Sequence, residues 1–271
     1  MEKQREIRRV VVKVGTSTLT RETGSLNLHN MEHLARVLSD LQGMGCQVVL
    51  VSSGAIGIGT KKLRLPERPS ELRMKQATAA VGQCMMVHIY DKLFAEYNRT
   101  VAQILLTGED VESPIRSEHL RNTFEALLEL GVIPVVNEND SVSSAEIETG
   151  QAKVLGDNDT LSAIVARLCG AELLVLFSDI DGLYDADPRT HPDAKLIHHV
   201  EAVTPELEAM AGGAGTWRGT GGMATKLHAA RLALEAGIDM VIANGSRMEA
   251  LYDIVDGKDV GTRFSARRGQ G

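Results

Sequence analysis

The sequence predicts an α/β fold, a three-layer α/β/α sandwich on a mainly parallel sheet, and three observations carry that prediction. A helix-like stretch that ends at glycine and is followed within one or two residues by a β-branched run occurs four times. The runs are almost uniformly apolar, as parallel strands covered by helices on both faces must be. With 271 residues and 43% hydrophobic content, the chain carries enough apolar surface for one large domain.

The first strand is expected at residues 9–14. Residues 31–44 then place Leu34, Leu38 and Leu41 at helical spacing, stop at Gly45 and pass into a strand at 47–51. Glycine just past a helix accepts the left-handed conformation that other residues resist. The same grammar returns as 120–130, Gly131, 132–136; as 160–169, Gly170, 173–177; and as 225–236, Gly237, 240–243. A short last strand is expected at 261–264. Without a Pro/Ser-rich linker, residues 1–264 are expected to form one domain with two lobes, about 1–165 and 166–264. The glycine-dense stretch 212–222 reads as a mobile loop, and residues 265–271 as a disordered tail.

Composition removes several functional classes. Against 29 basic residues stand 36 acidic ones, and the formal charge of −7 offers no positive field for nucleic acid or an anionic membrane. Aromatic content of 3% gives no stacking platform for single strands. Cys46, Cys84 and Cys169 lack CxxC spacing, which suggests neither a disulfide framework nor a zinc site. Absence of a signal-peptide core or of an apolar run of about 18 residues leads to the expectation of a soluble, cytoplasmic protein. Sequons such as Asn139-Asp140-Ser141 then mean nothing. His198 and His199 are expected at the surface, and Met74, Met85 and Met86 as core filler.

In open α/β sheets, ligands gather beyond the carboxyl ends of the strands. Those ends read Lys13-Val14-Gly15-Thr16-Ser17, Ser52-Ser53-Gly54-Ala55, Asn137-Glu138-Asn139-Asp140 and Ser178-Asp179. Each alone is ordinary turn chemistry; four together point to a site. Lys13 interrupts an apolar strand, where an ammonium is costly unless an anion meets it; the other reading is a lysine snorkelling from an edge strand. Gly219-Thr220-Gly221-Gly222-Met223-Ala224-Thr225-Lys226 opens an amphipathic helix, and backbone amides there suit a phosphate. It is no Walker A sequence, and its GxGxxA pattern follows a loop rather than a strand. Lys226 opposes the dipole of that first turn, which a bound anion would explain. Gly156-Asp157-Asn158-Asp159-Thr160 supplies more polar residues than one helix cap uses, so these side chains could position a lysine or organise a metal.

In this order, Val11 to Ser17, Val51 to Ile56, Asn137 to Asp140, Gly156 to Asp159, Asp181-Gly182-Leu183-Tyr184 with Ala186-Asp187-Pro188, and Gly219 to Met223 resemble the amino acid kinase family. The Asn-Glu-Asn-Asp and Gly-Asp-Asn-Asp segments are similar to its glutamate-phosphorylating branch rather than to the acetylglutamate, aspartate, carbamate or uridylate branches. The resemblance implies ATP-dependent phosphorylation of the side-chain carboxylate of L-glutamate to L-glutamyl 5-phosphate, the first step of proline biosynthesis. It implies Lys13 and Lys226 on the transferring phosphoryl group, with Asp157 or Asp159 organising the lysines and magnesium. Glutamate would meet Ser53, Gly54, Asp140 and Asn158. ATP would lie against Lys13, Ser178, Asp179, Thr220, Gly221, Gly222, Met223, Ala224, Thr225 and Lys226, with Mg2+ held mainly by its phosphates and no dedicated protein metal site. Feedback inhibition by L-proline and a homo-oligomer, dimer or tetramer, are further implications. The stretch from Asp140 to Gly156 is several residues longer than the family norm, and the RNA-modification-type C-terminal domain of many members is not expected within this chain.

An ionised carboxylate acceptor, with an ordinary pKa of about 4.3, needs no general base. Positioning and charge neutralisation suffice, and the lack of a credible catalytic histidine fits that chemistry. A relative acting on N-acetylglutamate, or a nucleotide- and amino-acid-binding regulator without turnover, are the alternatives.

Overall fold

The computed structural model describes residues 7–21, 25–142, 155–212 and 222–265. Its centre is one eight-stranded sheet in the order β3-β4-β2-β1-β5-β7-β8-β6. The strands are β1 (Arg9–Val14), β2 (Gln47–Ser52), β3 (Val101–Leu106), β4 (Ile133–Glu138), β5 (Leu173–Ser178), β6 (His199–Val200), β7 (Asp239–Asn244) and β8 (Thr262–Phe264). Every pairing is parallel except β7 with β8. With β1 between β2 and β5, Lys13 stands in the middle of the sheet, so the edge-strand reading of that residue is overturned.

Alternate residues of each strand feed two separate cores. Val10, Val12, Val48, Leu50, Val135 and Val175 pack against α2 (Leu28–Gly43), α4 (Leu72–Ala95) and α10 (Ala250–Val255), which contribute Leu34, Leu38, Tyr90, Phe94 and Leu251. On the other face, Val11, Val49, Val136, Leu174 and Leu176 meet α6 (Pro114–Glu129), α7 (Asn158–Leu168) and α9 (Met223–Glu235) through Phe124, Leu161, Val165 and Leu227. Helix, sheet, helix is therefore the layer order, as expected. Each large apolar side chain removed from water contributes about 1.5–3 kcal/mol.

All four predicted helix stops hold: Gly45, Gly131, Gly170 and Gly237 have φ of +93°, +70°, +63° and +72°. Starts fall earlier than the apolar periodicity indicates, because polar caps begin the helices. Asn27, Ser113 followed by Pro114, and Asp157 accept backbone N–H bonds at the heads of α2, α6 and α7. Sequence periodicity assigns nothing between residues 55 and 112, where the structure places α3 (Ala55–Lys62), α4, β3 and α5 (Gly108–Glu112). Shorter helices α1 (Thr16–Leu19) and α8 (Pro205–Gly212) complete the set. Met86 is buried as expected, but Met74 is 37% exposed near the head of α4 and is not core filler. His198 and His199 are exposed. Of the predicted mobile stretch 212–222, residues 213–221 lie outside the described residues, as do residues 266–271 of the predicted tail 265–271. Among those described, no helix is long and apolar enough to cross a membrane.

Candidate active site

The carboxyl ends of β1, β2, β4 and β5 face the N-termini of α3, α7 and α9. Lys13, next to last in β1, alternates with Val12 and Val14 and so shares the side of Val11, toward α7 and α9. Its Nζ lies 2.6 Å from Asp159 Oδ1, and Lys226 Nζ, from the first turn of α9, lies 3.0 Å from Asp159 Oδ2. Thr225 Oγ1 donates to that second oxygen at 2.9 Å. The Asp159 side chain has no exposed surface, and both lysines are almost fully buried. Burial by itself would raise the Asp159 carboxyl, but the Lys13 and Lys226 ammoniums outweigh it and hold the group below its ordinary value. The two misplaced lysines of the sequence thus share one buried carboxylate supplied by the protein.

Asp157 does something else. Its Oδ1 accepts from Asp159 N at 2.8 Å and Thr160 N at 3.0 Å, and its Oδ2 from Thr160 Oγ1 at 3.0 Å. It caps α7 and thereby fixes the turn from which Asn158 and Asp159 project; organising the lysines falls to Asp159. Asn158 Nδ2 donates to Asn137 Oδ1 at 2.9 Å, at the end of β4, and Asn137 Nδ2 donates to Gln83 Oε1 of α4 at 3.0 Å. Asp140, two residues beyond β4, is half-buried and lines a cavity of ≈550 Å3 with Ala55, Gln83, His88, Gln103 and Glu138.

The remaining predicted residues surround this centre. Ser53 Oγ donates to Val14 O at 3.3 Å, tying the end of β2 to that of β1. Gly54, φ +104°, turns the chain into α3, whose N-cap therefore offers no side-chain acceptor. Gly15 lies beside the β1 lysine, where a Cβ would stand 3.5 Å from Lys13 Nζ, in ordinary van der Waals contact. Ser178 ends β5 with its hydroxyl 3.3 Å from Asp179 Oδ1, and Asp179 pairs with Arg189 at 2.9 Å. Gly222 caps α9 without a side chain, and Met223, Ala224 and Thr225 precede Lys226 in its first turn. Thr220 and Gly221 lie outside the described residues.

Of two further polar residues at the site, sequence reads Asn137 only as part of the strand end Asn137 to Asp140, without a role of its own, and does not single out Gln83. Asn137 carried a signal, a buried amide closing an apolar strand. Gln83 carried only a weak one: it shares a helical stripe with Met86 and Tyr90, which meet Ser52 at the end of β2. Its partner lies 54 positions away.

The sequence pattern of the amino acid kinase family matches residues 8–244. Glutamate 5-kinase of Clostridium perfringens is 55% identical over 266 residues, covering 98% of both chains, and glutamate 5-kinase of Listeria innocua is 50% identical over 261 residues, 96% of this chain and 94% of the other. Among solved structures, carbamate kinase from Giardia lamblia bound to AMP-PNP superposes with a TM-score of 0.68 at 15% identity, covering 96% of this chain and 98% of the other. UMP kinase from Bacillus anthracis gives 0.66 at 17%, with 97% and 98% covered. At these identities the two structures speak for the fold.

Proposed function

The chain belongs to the amino acid kinase family, and from that premise we propose that it transfers the γ-phosphoryl group of ATP to the side-chain carboxylate of L-glutamate, giving L-glutamyl 5-phosphate for proline biosynthesis. The observation that carries the reading is the buried Lys13–Asp159–Lys226 cluster, found in a chain 55% identical to a glutamate 5-kinase.

A carboxylate oxygen of glutamate attacks the γ-phosphorus, the bond to the β-phosphate oxygen breaks, and ADP leaves. No proton has to be removed from the acceptor, because a carboxylate with an ordinary pKa of about 4.3 is ionised at neutral pH. Lys13 and Lys226 flank the transferring group from β1 and α9, and Asp159 holds both ammoniums so that little reorganisation is needed as charge moves. The uncapped amides at the head of α9 suit the nucleotide phosphates, with Ser178, Asp179 and the segment from Thr220 to Lys226 along the nucleotide. Ser53, Gly54, Asp140 and Asn158 hold glutamate, Asp140 meeting the α-ammonium that an N-acetylated substrate lacks. Mg2+ bound with the ATP would supply further charge neutralisation. The same reading includes a cytoplasmic enzyme, a homo-oligomer and L-proline as a competitor at the glutamate site.

Hydroxylamine trapping with Mg-ATP tests the reaction. Hydroxamate is expected from L-glutamate and not from N-acetyl-L-glutamate, L-aspartate or UMP; ATP binding without turnover on any of them would leave a regulator instead. Asp140→Ala is expected to raise KM for glutamate by about ten-fold or more with little change for ATP, and equal effects on both would remove the ammonium assignment.

A further inference from the structure

We infer that Gln83 is a positioning residue for the glutamate site, setting through Asn137 which end of the Asn158 amide is turned toward the substrate; the inference rests on the reaction proposed above. A primary amide has one accepting oxygen and one donating nitrogen, so a file of amides has a direction. Gln83 gives its oxygen to Asn137 Nδ2, Asn137 gives its oxygen to Asn158 Nδ2, and the Asn158 oxygen is the one acceptor that the file itself does not use. An acceptor left over on Asn158 matches the α-ammonium donor of the proposed substrate. Reversing any one member would set nitrogen against nitrogen or oxygen against oxygen.

The packing brings Gln83 to this depth and holds it there. A Cβ on the preceding Gly82 would overlap the Ala55 carbonyl oxygen and lie 2.6 Å from Gly59 N, so only glycine lets α4 settle against the head of α3. Gln83 is 7% exposed, and its Nε2 is buried without a hydrogen-bond partner among the described residues. An orphaned donor is costly in an interior, and it marks an orientation kept for the sake of the oxygen on Asn137. Gln83 and Asp140 line the same cavity, whereas Gln83 makes no hydrogen bond to Lys13, Lys226 or Asp159 among the described residues. Recognition of glutamate should therefore respond to Gln83 while phosphoryl transfer does not.

The test is steady-state kinetics on Gln83→Met, which keeps the length but lacks the acceptor, and Gln83→Glu, which keeps an acceptor oxygen. Asn side-chain amide signals in 15N spectra are recorded in parallel. Gln83→Met is expected to raise KM for L-glutamate about ten-fold, to leave KM for ATP and kcat at saturating glutamate within about two-fold, and to move the Asn158 side-chain signal. Gln83→Glu is expected to return KM for glutamate toward that of the parent. An unchanged KM for glutamate in Gln83→Met, a parallel rise for ATP, or no rescue by Gln83→Glu would overturn the inference. Should Gln83→Met not fold, Gln83→Ser, which has room for water, is read by the same criteria. Failure of the parent enzyme to phosphorylate glutamate would instead sink the proposed reaction, and the relay would then stand or fall on whether the Asn158 signal moves.

Discussion

Two consecutive residues of α7 reach into regions built on opposite principles. Asp159 enters the face covered by α7 and α9, where it meets two ammoniums and the Thr225 hydroxyl, and the dominant interactions are between full charges. Asn158 reaches Asn137, whose strand neighbours Ile133 and Val135 pack toward α4, and there every partner is a neutral amide. The difference follows from what each region has to do. Moving a phosphoryl group shifts charge, and preorganised charges in a water-poor site respond to that strongly. Recognising one amino acid requires, besides the charge of Asp140, fixed donor and acceptor positions, which amides supply without the desolvation cost of further ions. The cap made by Asp157 keeps the two regions in register, because it sets the turn from which both side chains project.

The comparison breaks most visibly at Asp159. Asp159→Asn leaves two buried ammoniums facing a neutral amide, and stability is expected to fall by about 3–5 kcal/mol near neutral pH. The folded-state pKa of Asp159 is lowered, so its contribution is complete above the ordinary carboxylate range and disappears as pH falls through the lowered native value. Melting curves of the parent and Asp159→Asn should accordingly differ most near neutrality and converge in acid. A gap independent of pH would refute the ionic account. Next in size is Lys226→Ala, for which kcat should drop by about 10²-fold or more while KM for glutamate changes little, as measured by ADP release. Full activity in this variant would remove Lys226 from the chemistry.

Sequence made the charged region far more legible than the neutral one. Lys13 in an apolar strand and Lys226 in a first helical turn each violate a local rule, and the violation shows without a structure. Their common partner lay within a run of three capping-type residues, Asp157, Asn158 and Asp159, which sequence could not apportion. Only the backbone shows that Asp157 turns back to its own helix while Asp159 turns to the lysines. Helix ends were legible for a similar reason: Gly45 or Gly131 is a local steric requirement. By contrast, α4 leaves no clean period because its 24 residues meet α3, α2 and the sheet on different sides. The residue it contributes, Gln83, has chemical meaning only through Asn137 and Asn158.

Glycines sharpen the comparison further, at a smaller scale. Gly82→Ala forces α4 away from Ala55, an overpacking expected to cost about 1–3 kcal/mol, and it should carry Gln83 off Asn137 and raise KM for glutamate with little effect on kcat. Gly131→Ala provides the control of lower cost. Gly131 has φ +70° and no neighbouring atom within 4 Å of where a Cβ would stand, so alanine there brings conformational strain of about 1–2 kcal/mol and no steric clash. Chemical denaturation and kinetics on both variants separate two effects: general loosening of the fold would raise KM in each, whereas displacement of the amide file raises it in Gly82→Ala alone. An equal rise in both would show that the neutral region senses overall stability rather than the seating of α4, and the contrast between the two sides of α7 would then rest on charge alone.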